Sequence, residues 1–275
     1  MFQGGAQGAT KAKAPAHART PGPVAFAPGG GATKLAMARP ALRPGGQEAG
    51  GAQCCGSPFA ARLRTIIRAR PNFSRIVRLD RRANVYNCGD SDENLYFVES
   101  GMVKTVVVTA SGKRCMLDVY APGDLFGELA LLGSPRLETA TTMRPVVLQK
   151  ISAPRLLEAM ADEALRQCAL HHLTNRISEQ QDVITEMVTM ESERRLAARL
   201  IYLGRKVGTW YPPGLRVMSK ITQEELSEMV GTTRSRVGYF LKNFREHGLV
   251  MLTSDSMVII DERGLLRYLS DKAEI

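Results

Sequence analysis

The thirty residues Ile221–Val250, ITQEELSEMVGTTRSRVGYFLKNFREHGLV, limit this chain's possible folds more than any other stretch. Thr222 and Glu225 make a capping box, in which each side chain satisfies a backbone amide that the first helical turn leaves open. The helix so opened presents Leu226 and Val230 inward, and Gly231 then supplies the backbone freedom for a sharp turn. Thr232 or Thr233 caps a second helix whose buried stripe is Val237, Leu241 and Phe244, and Ser227 is small where two helices must cross. These offsets are those of a helix-turn-helix. Near the start or on the outward face of the second helix fall Thr233, Arg234, Ser235, Arg236 and Tyr239, with Lys242 one turn further. A helix in the major groove of duplex DNA uses such side chains, arginine on guanine being the commonest specific contact. Arg234 is expected to read a base, Arg236 a base or a phosphate, and Lys242 the backbone. A solvated helix with ordinary surface arginines explains the charge but not the ordered spacing around it.

On either side the pattern continues. Leu249–Thr253, the turn Ser254-Asp255-Ser256, and Met257–Asp261 predict a hairpin, the wing of a winged helix-turn-helix. Upstream, Glu191–Val207 predicts an amphipathic helix with Leu196, Leu200 and Leu203 on one face. Before it, Asp162 to about Met190 contains no Gly or Pro and predicts one long helix. Within it Leu173, Ile177, Gln180, Ile184 and Met187 recur at spacings of four and three, the seam of two helices packed side by side. At about 1.5 Å per residue the helix outruns a small barrel, so the expected partner is a second copy of the chain. Gln180, polar in mid-seam, is a place where register or a ligand is specified.

From Phe59 to Ile151 the chain breaks into short runs. Phe59–Ala69 predicts a helix ended by Pro71. Asn84–Cys88, Leu95–Glu99, Val103–Thr109, Arg114–Tyr120, Thr139–Met143 and Val146–Ile151 predict strands, separated by Gly, Pro, Ser and Asp turn signals. That spacing predicts a compact antiparallel barrel or sandwich, and Ala153–Met160 a short helix after it. Cys88 and Cys115 fall in these strands and are expected to be small core residues. Five cysteines without a C-x-x-C pair predict free thiols in a reducing cytoplasm.

Residues 1–57 are rich in Gly, Ala and Pro, with six Lys and Arg against one acid, and are expected to be a disordered basic tail. The whole chain carries a formal charge of +10, which fits an anionic partner such as nucleic acid. No run approaches a membrane span. None of His17, His171, His172 and His247 falls in the strands, and no nucleophile–base motif appears, so neither a metal centre nor an enzyme is expected.

In this order the parts resemble the family of the cyclic-AMP receptor protein and the fumarate–nitrate regulator (CRP/FNR), over about residues 59–269. The resemblance implies an α+β chain. Its parts are an N-terminal antiparallel β-roll of the cyclic-nucleotide-binding kind over 58–152, a long dimerisation helix within 153–190, and a C-terminal winged helix-turn-helix over 191–270. It implies a homodimeric transcription regulator that binds double-stranded DNA and contacts RNA polymerase. GDLFGELALLGSP, residues 123–135, is similar to the family's phosphate-binding cassette, and Gly127, Glu128 and Leu129 match its centre. Backbone amides in such a turn make an anion site. After the cassette, members that bind cyclic AMP place an Arg, a Ser or Thr, and an Ala. Thr139 and Ala140 fit, but Glu138 stands where the Arg belongs. Arg136, two residues earlier, lies on the same strand face as Glu138. Gln180 and Gln181 stand where those members have hydroxyl residues. The expected effector is therefore nucleotide-like but not ordinary cyclic AMP, for example cyclic di-GMP. Its expected contacts are Gly127, Glu128, Leu129, Arg136, Thr139, Gln180 and Gln181. A β-roll kept only as scaffold, without effector, and an ordinary cyclic-AMP response both stay open. Iron–sulfur sensing is not expected, because Cys54 and Cys55 are adjacent and lie in the tail. At the DNA, Ser235 and Tyr239 replace charged residues of the cyclic-AMP type, so a different half-site is expected.

Overall fold

β3 (Asn94–Ser100) explains how the N-terminal half is layered. Four consecutive residues, Leu95 to Val98, are all buried, so both faces of this strand are covered. In the computed structural model, which describes residues 57–211, 214–217, 221–252, 257–259 and 261–271, each face meets a different core. Tyr96 and Val98 point between two sheets, where they meet Tyr86, Val103, Tyr120, Phe126, Ala140 and Leu148. Leu95 and Phe97 point outward onto helices and meet Phe59, Leu63, Leu125, Leu156 and Leu165.

The first sheet has the order β1-β8-β3-β6, from β1 (Arg75–Leu79), β8 (Val146–Ser152), β3 and β6 (Leu125–Phe126). The second has the order β2-β7-β4-β5, from β2 (Asn84–Tyr86), β7 (Thr139–Thr142), β4 (Val103–Val108) and β5 (Arg114–Tyr120). All pairings are antiparallel, with Val103 opposite Tyr120 and Thr142, and Tyr96 opposite Lys150 and Phe126. The helices on the outer face of the first sheet are α1 (Pro58–Ala69), α2 (Ala153–Ala159) and the start of α3 (Glu163–Thr189). β1 and β6 lie outside the runs read as strands from the sequence. Asn84–Cys88, expected as one strand, ends at Tyr86, because Gly89 (φ 88°) turns the chain. Cys88 therefore stands exposed in a turn and Cys115 is half-buried in β5, which corrects the expectation that both are core residues.

α3 is capped by Asp162, whose side chain accepts from the Leu165 amide at 2.7 Å. Its 27 residues make a rod of about 40 Å. Met190, extended at φ −110° and ψ 144°, ends it, and α4 (Ser192–Val207) follows after Glu191. α4 buries Leu196, Leu200, Ile201 and Leu203 and touches α5 (Gln223–Val230), α6 (Arg234–Glu246) and α7 (Glu262–Asp271). A third antiparallel sheet has the order β11-β12-β10-β9, from β9 (Thr209–Tyr211), β10 (Gly214–Val217), β11 (Val250–Leu252) and β12 (Met257–Ile259). Gly204 lets α4 close on this sheet, since a Cβ there would meet the Ile259 side chain at 2.5 Å. The hairpin expected after Gly248 corresponds to β11 and β12, with Val250 opposite Ile259, while β9, β10 and α7 had no counterpart in the sequence reading. Its turn, Ser254-Asp255-Ser256, lies outside the described residues, as does the expected tail apart from Ser57. Among the described residues no helix is long and apolar enough to cross a membrane, and no group of His, Cys, Asp and Glu side chains is arranged to hold a metal ion.

Candidate functional site

α5 and α6 are built as their spacing predicts. Thr222 Oγ1 accepts from the Glu225 amide at 3.1 Å, and a Glu225 carboxylate oxygen accepts from the Thr222 amide at 2.8 Å. Gly231 turns the chain at φ 72°, and Thr233 caps α6 by accepting from the Arg236 amide at 3.3 Å. Val237, Phe240, Leu241 and Phe244 are buried, one turn of helix after another. The opposite face is solvent-exposed and carries Arg234, Ser235, Arg236, Tyr239 and Lys242, beside the exposed cap Thr233. All six side chains singled out in the sequence thus stand on one open surface. Arg236 lies 5.7 Å over the Phe240 ring and Lys242 is 3.7 Å from Glu246, whereas Arg234 has no ion pair among the described residues. An unpaired guanidinium at the head of an exposed helix is free to meet an anionic or polar partner.

The second place is the turn at Gly127, which has φ 84° and opens a short 3-10 helix, Glu128–Leu132. Arg136, 1% exposed, clasps this turn from behind. Its guanidinium donates to the Gly127 carbonyl at 2.8 Å, to Asp92 at 3.2 Å and to the Asn94 carbonyl, and lies 4.2 Å over the Tyr86 ring. The Tyr86 hydroxyl donates to Glu138 at 2.7 Å. Burial, with Glu138 beside it, drives the Tyr86 pKa far up, so the hydroxyl keeps its proton and remains a donor. Asp92 is held below the usual carboxylate range. Burial opposes this, but hydrogen bonds from Tyr96 and Asn94, with Lys150 and Arg136 nearby, outweigh it. Glu128 is pushed up by burial and partly restrained by Arg176 of α3, whose Nε is 3.3 Å away.

Of the other expected contacts, Leu129 is half-buried in the 3-10 helix that follows the turn, and Thr139 is half-buried in β7, its Oγ1 accepting from the Cys88 amide at 3.1 Å. Gln180 and Gln181 are not brought to it. Both stand exposed on α3, and the side chain that reaches Glu128 is Arg176, one turn earlier. Arg176 was missed in the sequence, although a lone cation directly beside the seam residue Ile177 was the available signal.

The residues of α3 expected to form a seam are mostly exposed. Ile177 is 56% exposed, Ile184 63% and Met187 42%; Gln180 is exposed and Leu173 half-buried. Leu170, 59% exposed, extends the row at a spacing of seven before Ile177, and Val188 adds to its far end.

Comparison with known proteins gives two family matches. Residues 76–163 match the cyclic nucleotide-binding domain and residues 194–268 the Crp-like helix-turn-helix domain. A CRP-like cAMP-activated global transcriptional regulator of Mycobacterium tuberculosis is 29% identical over 185 residues, 66% of this chain and 83% of that one. The transcriptional regulator LdrP of Thermus thermophilus is 29% identical over 191 residues, covering 69% and 94%. The crystal structure of a CRP-family transcriptional regulator, also from Thermus thermophilus, superposes with a TM-score of 0.61 at 27% identity, covering 70% of this chain and 96% of that one.

Proposed function

Because the chain belongs to the CRP/FNR family of DNA-binding transcription regulators, we propose that it acts as a homodimer on a near-palindromic duplex site, reading bases with α6. The observation that carries this reading is the exposed face of α6, with Arg234 at its head and in no ion pair among the described residues. Arg234 is the base reader, Arg236 reads a base or holds a phosphate, Thr233, Ser235 and Tyr239 line the groove, and Lys242 meets the backbone. The dimer joins along Leu173, Ile177, Gln180, Ile184 and Met187, of which Ile177, Ile184 and Met187 are exposed and leave an apolar face for a second α3 to cover. The working division of the chain is a ligand-domain β-roll over 58–152, the dimerisation segment 153–190, and the winged DNA-binding domain over 191–270. The DNA-bound dimer contacts RNA polymerase, as a transcription regulator of this family does.

The effector is nucleotide-like and is received at Gly127, Glu128 and Leu129, with Arg136 and Thr139 behind the turn. Ordinary cyclic AMP is disfavoured, because Glu138, tied to Tyr86, puts a carboxylate where its phosphate needs a cation. A larger ligand such as cyclic di-GMP can extend to Gln180 and Gln181. A second reading is favoured by a specific observation: Arg176 already faces Glu128, and Arg136 already binds the turn. On that reading the chain's own side chains occupy the site and DNA binding needs no effector.

Selection of duplexes from a random pool, followed by binding isotherms, tests the DNA reading. Arg234→Ala is expected to cost about 1–3 kcal/mol and to relax base choice at one position per half-site. Equal weakening on every sequence would reduce Arg234 to a backbone contact, and no selection at all would end the reading. Calorimetric titration with cyclic AMP, cyclic GMP and cyclic di-GMP separates the effector readings. Heat from cyclic di-GMP alone supports the first, silence from all three with intact DNA binding the second, and tight cyclic AMP binding overturns both.

A further inference from the structure

The break between α3 and α4 is two extended residues, Met190 and Glu191, so the bend there sets where α5 and α6 point. Two half-buried sets of charged contacts span it. Close to the break, Arg199 of α4 donates to Glu186 of α3 at 2.5 Å. Further out, a single carboxylate from the second sheet takes hold of both helices. Asp118 of β5 accepts from Arg176 of α3 at 2.9 Å. From α4 it accepts the Tyr202 hydroxyl at 2.8 Å and Lys206 Nζ at 3.0 and 3.2 Å. Lys206 also donates to the Tyr202 hydroxyl at 2.7 Å and lies 3.6 Å from Asp124. Arg176, Asp118 and Lys206 are each at most 16% exposed at the side chain, so solvent screens these contacts little.

We propose that Asp118 is a positioning residue for DNA recognition: it pins α3 and α4 at a fixed bend and thereby sets the pose of α6. The pin is reinforced on α5, where Glu225 pairs with Lys104 of β4 at 2.8 Å and Glu228 with Arg114 of β5 at 2.5 Å. The pin is also joined to the turn at Gly127. Arg176 serves Asp118 and Glu128 at once, and donates to the Tyr120 hydroxyl at 2.9 Å. Two cations, Arg176 and Lys206, are shared among three carboxylates, Asp118, Asp124 and Glu128. Any group that draws Arg176 toward the turn leaves Asp118 held from α4 alone, and the bend loses its tie to α3. The sequence reading assigns none of these residues except Glu128. The consequence for DNA rests on the reading of α6 given above, but the pin itself does not.

Hydrogen exchange on the full chain, read by mass spectrometry without DNA, tests it. Asp118→Asn and Lys206→Met are each expected to speed exchange at least about tenfold in α4 and α5 and leave β3 and β8 unchanged. Lys206→Arg is expected to restore the slow exchange, and the double variant Asp118→Asn with Lys206→Met to add little to either single change. Tyr202→Phe, which keeps the ring and removes one donor, is expected to give the same pattern at smaller size, and serves if the other variants do not fold. Unchanged exchange in α4 and α5, or a rise spread equally through β3 and β8, would overturn the pin. Failure of the DNA reading shows elsewhere, as indifference of DNA binding to Arg234→Ala.

Discussion

Gly231 holds a left-handed backbone conformation that residues with a Cβ rarely adopt. Its φ of 72° costs other residues about 1–2 kcal/mol. A Cβ there would also lie 2.8 Å from the Met187 methyl, the far end of a flexible side chain that shifts at small cost. Gly231→Ala is expected to lower the unfolding free energy by about 1–3 kcal/mol in a urea titration, with Met187→Ala recovering only the steric share. Asp118 makes a different prediction. Burial raises its pKa, but Lys206, Arg176 and the Tyr202 hydroxyl outweigh this and hold the carboxyl below its usual range. A carboxyl depressed on folding contributes stability above its unfolded pKa and loses it as pH falls through the folded value. The stability gap between wild type and Asp118→Asn should be flat above about pH 5 and narrow below about pH 4. A gap that persisted into stronger acid would show that charge is not what Asp118 supplies. Some of this scale is legible in sequence and some is not. Glu138 is visible as an acid in a cation's place, because the motif around it is local. Its bond to Tyr86 joins residues 52 apart, and the sharing of Asp118 between two helices depends on packing that no local pattern encodes.

Among the elements, α3 is the one most fully readable. Its length follows from the missing breakers, and of the apolar residues spaced by four and three Ile177, Ile184 and Met187 stand exposed along it, as do Leu170 and Val188. Ile184→Asp is expected to convert the dimer to a monomer in sedimentation velocity at micromolar concentration. It should also lower affinity for a two-half-site duplex about a hundredfold while sparing a single half-site. A dimer that survived Ile184→Asp would place its interface elsewhere. Three of the unread elements carry too little apolar signal. β1 is an edge strand with Arg75 and Arg78 in its sequence, so it lacks the apolar signal of a covered strand. β6 has two residues and β9 three, too short for alternation to register. Cys88 was misplaced for the same reason in reverse: a strand-like run continued past the point where Gly89 turns the chain.

Taken whole, the described chain packs its first two sheets on an apolar core and ties them to α3, α4 and α5 with ion pairs besides. The proposed dimer would hold two α6 helices at one spacing, about 34 Å in successive major grooves. Inserting about five base pairs between half-sites is expected to abolish cooperative binding in a mobility-shift assay, and about ten to restore part of it. Indifference to spacing would mean that the two reading heads move independently. The domain order was legible because each part has its own period; how the parts lean on one another was not, since Lys104–Glu225 and Arg114–Glu228 join residues more than a hundred positions apart. Those two pairs also bear on how binding data are interpreted. Counterion release makes affinity fall with added salt in proportion to the phosphates neutralised, and the slope is commonly read as that number. Here the same salt weakens the partly exposed Arg114–Glu228 tie, so the reading head loosens while the phosphates are being screened. The slope of the intact protein will overstate its phosphate contacts, and only a comparison with an Arg114→Met, Lys104→Met variant will yield the true count.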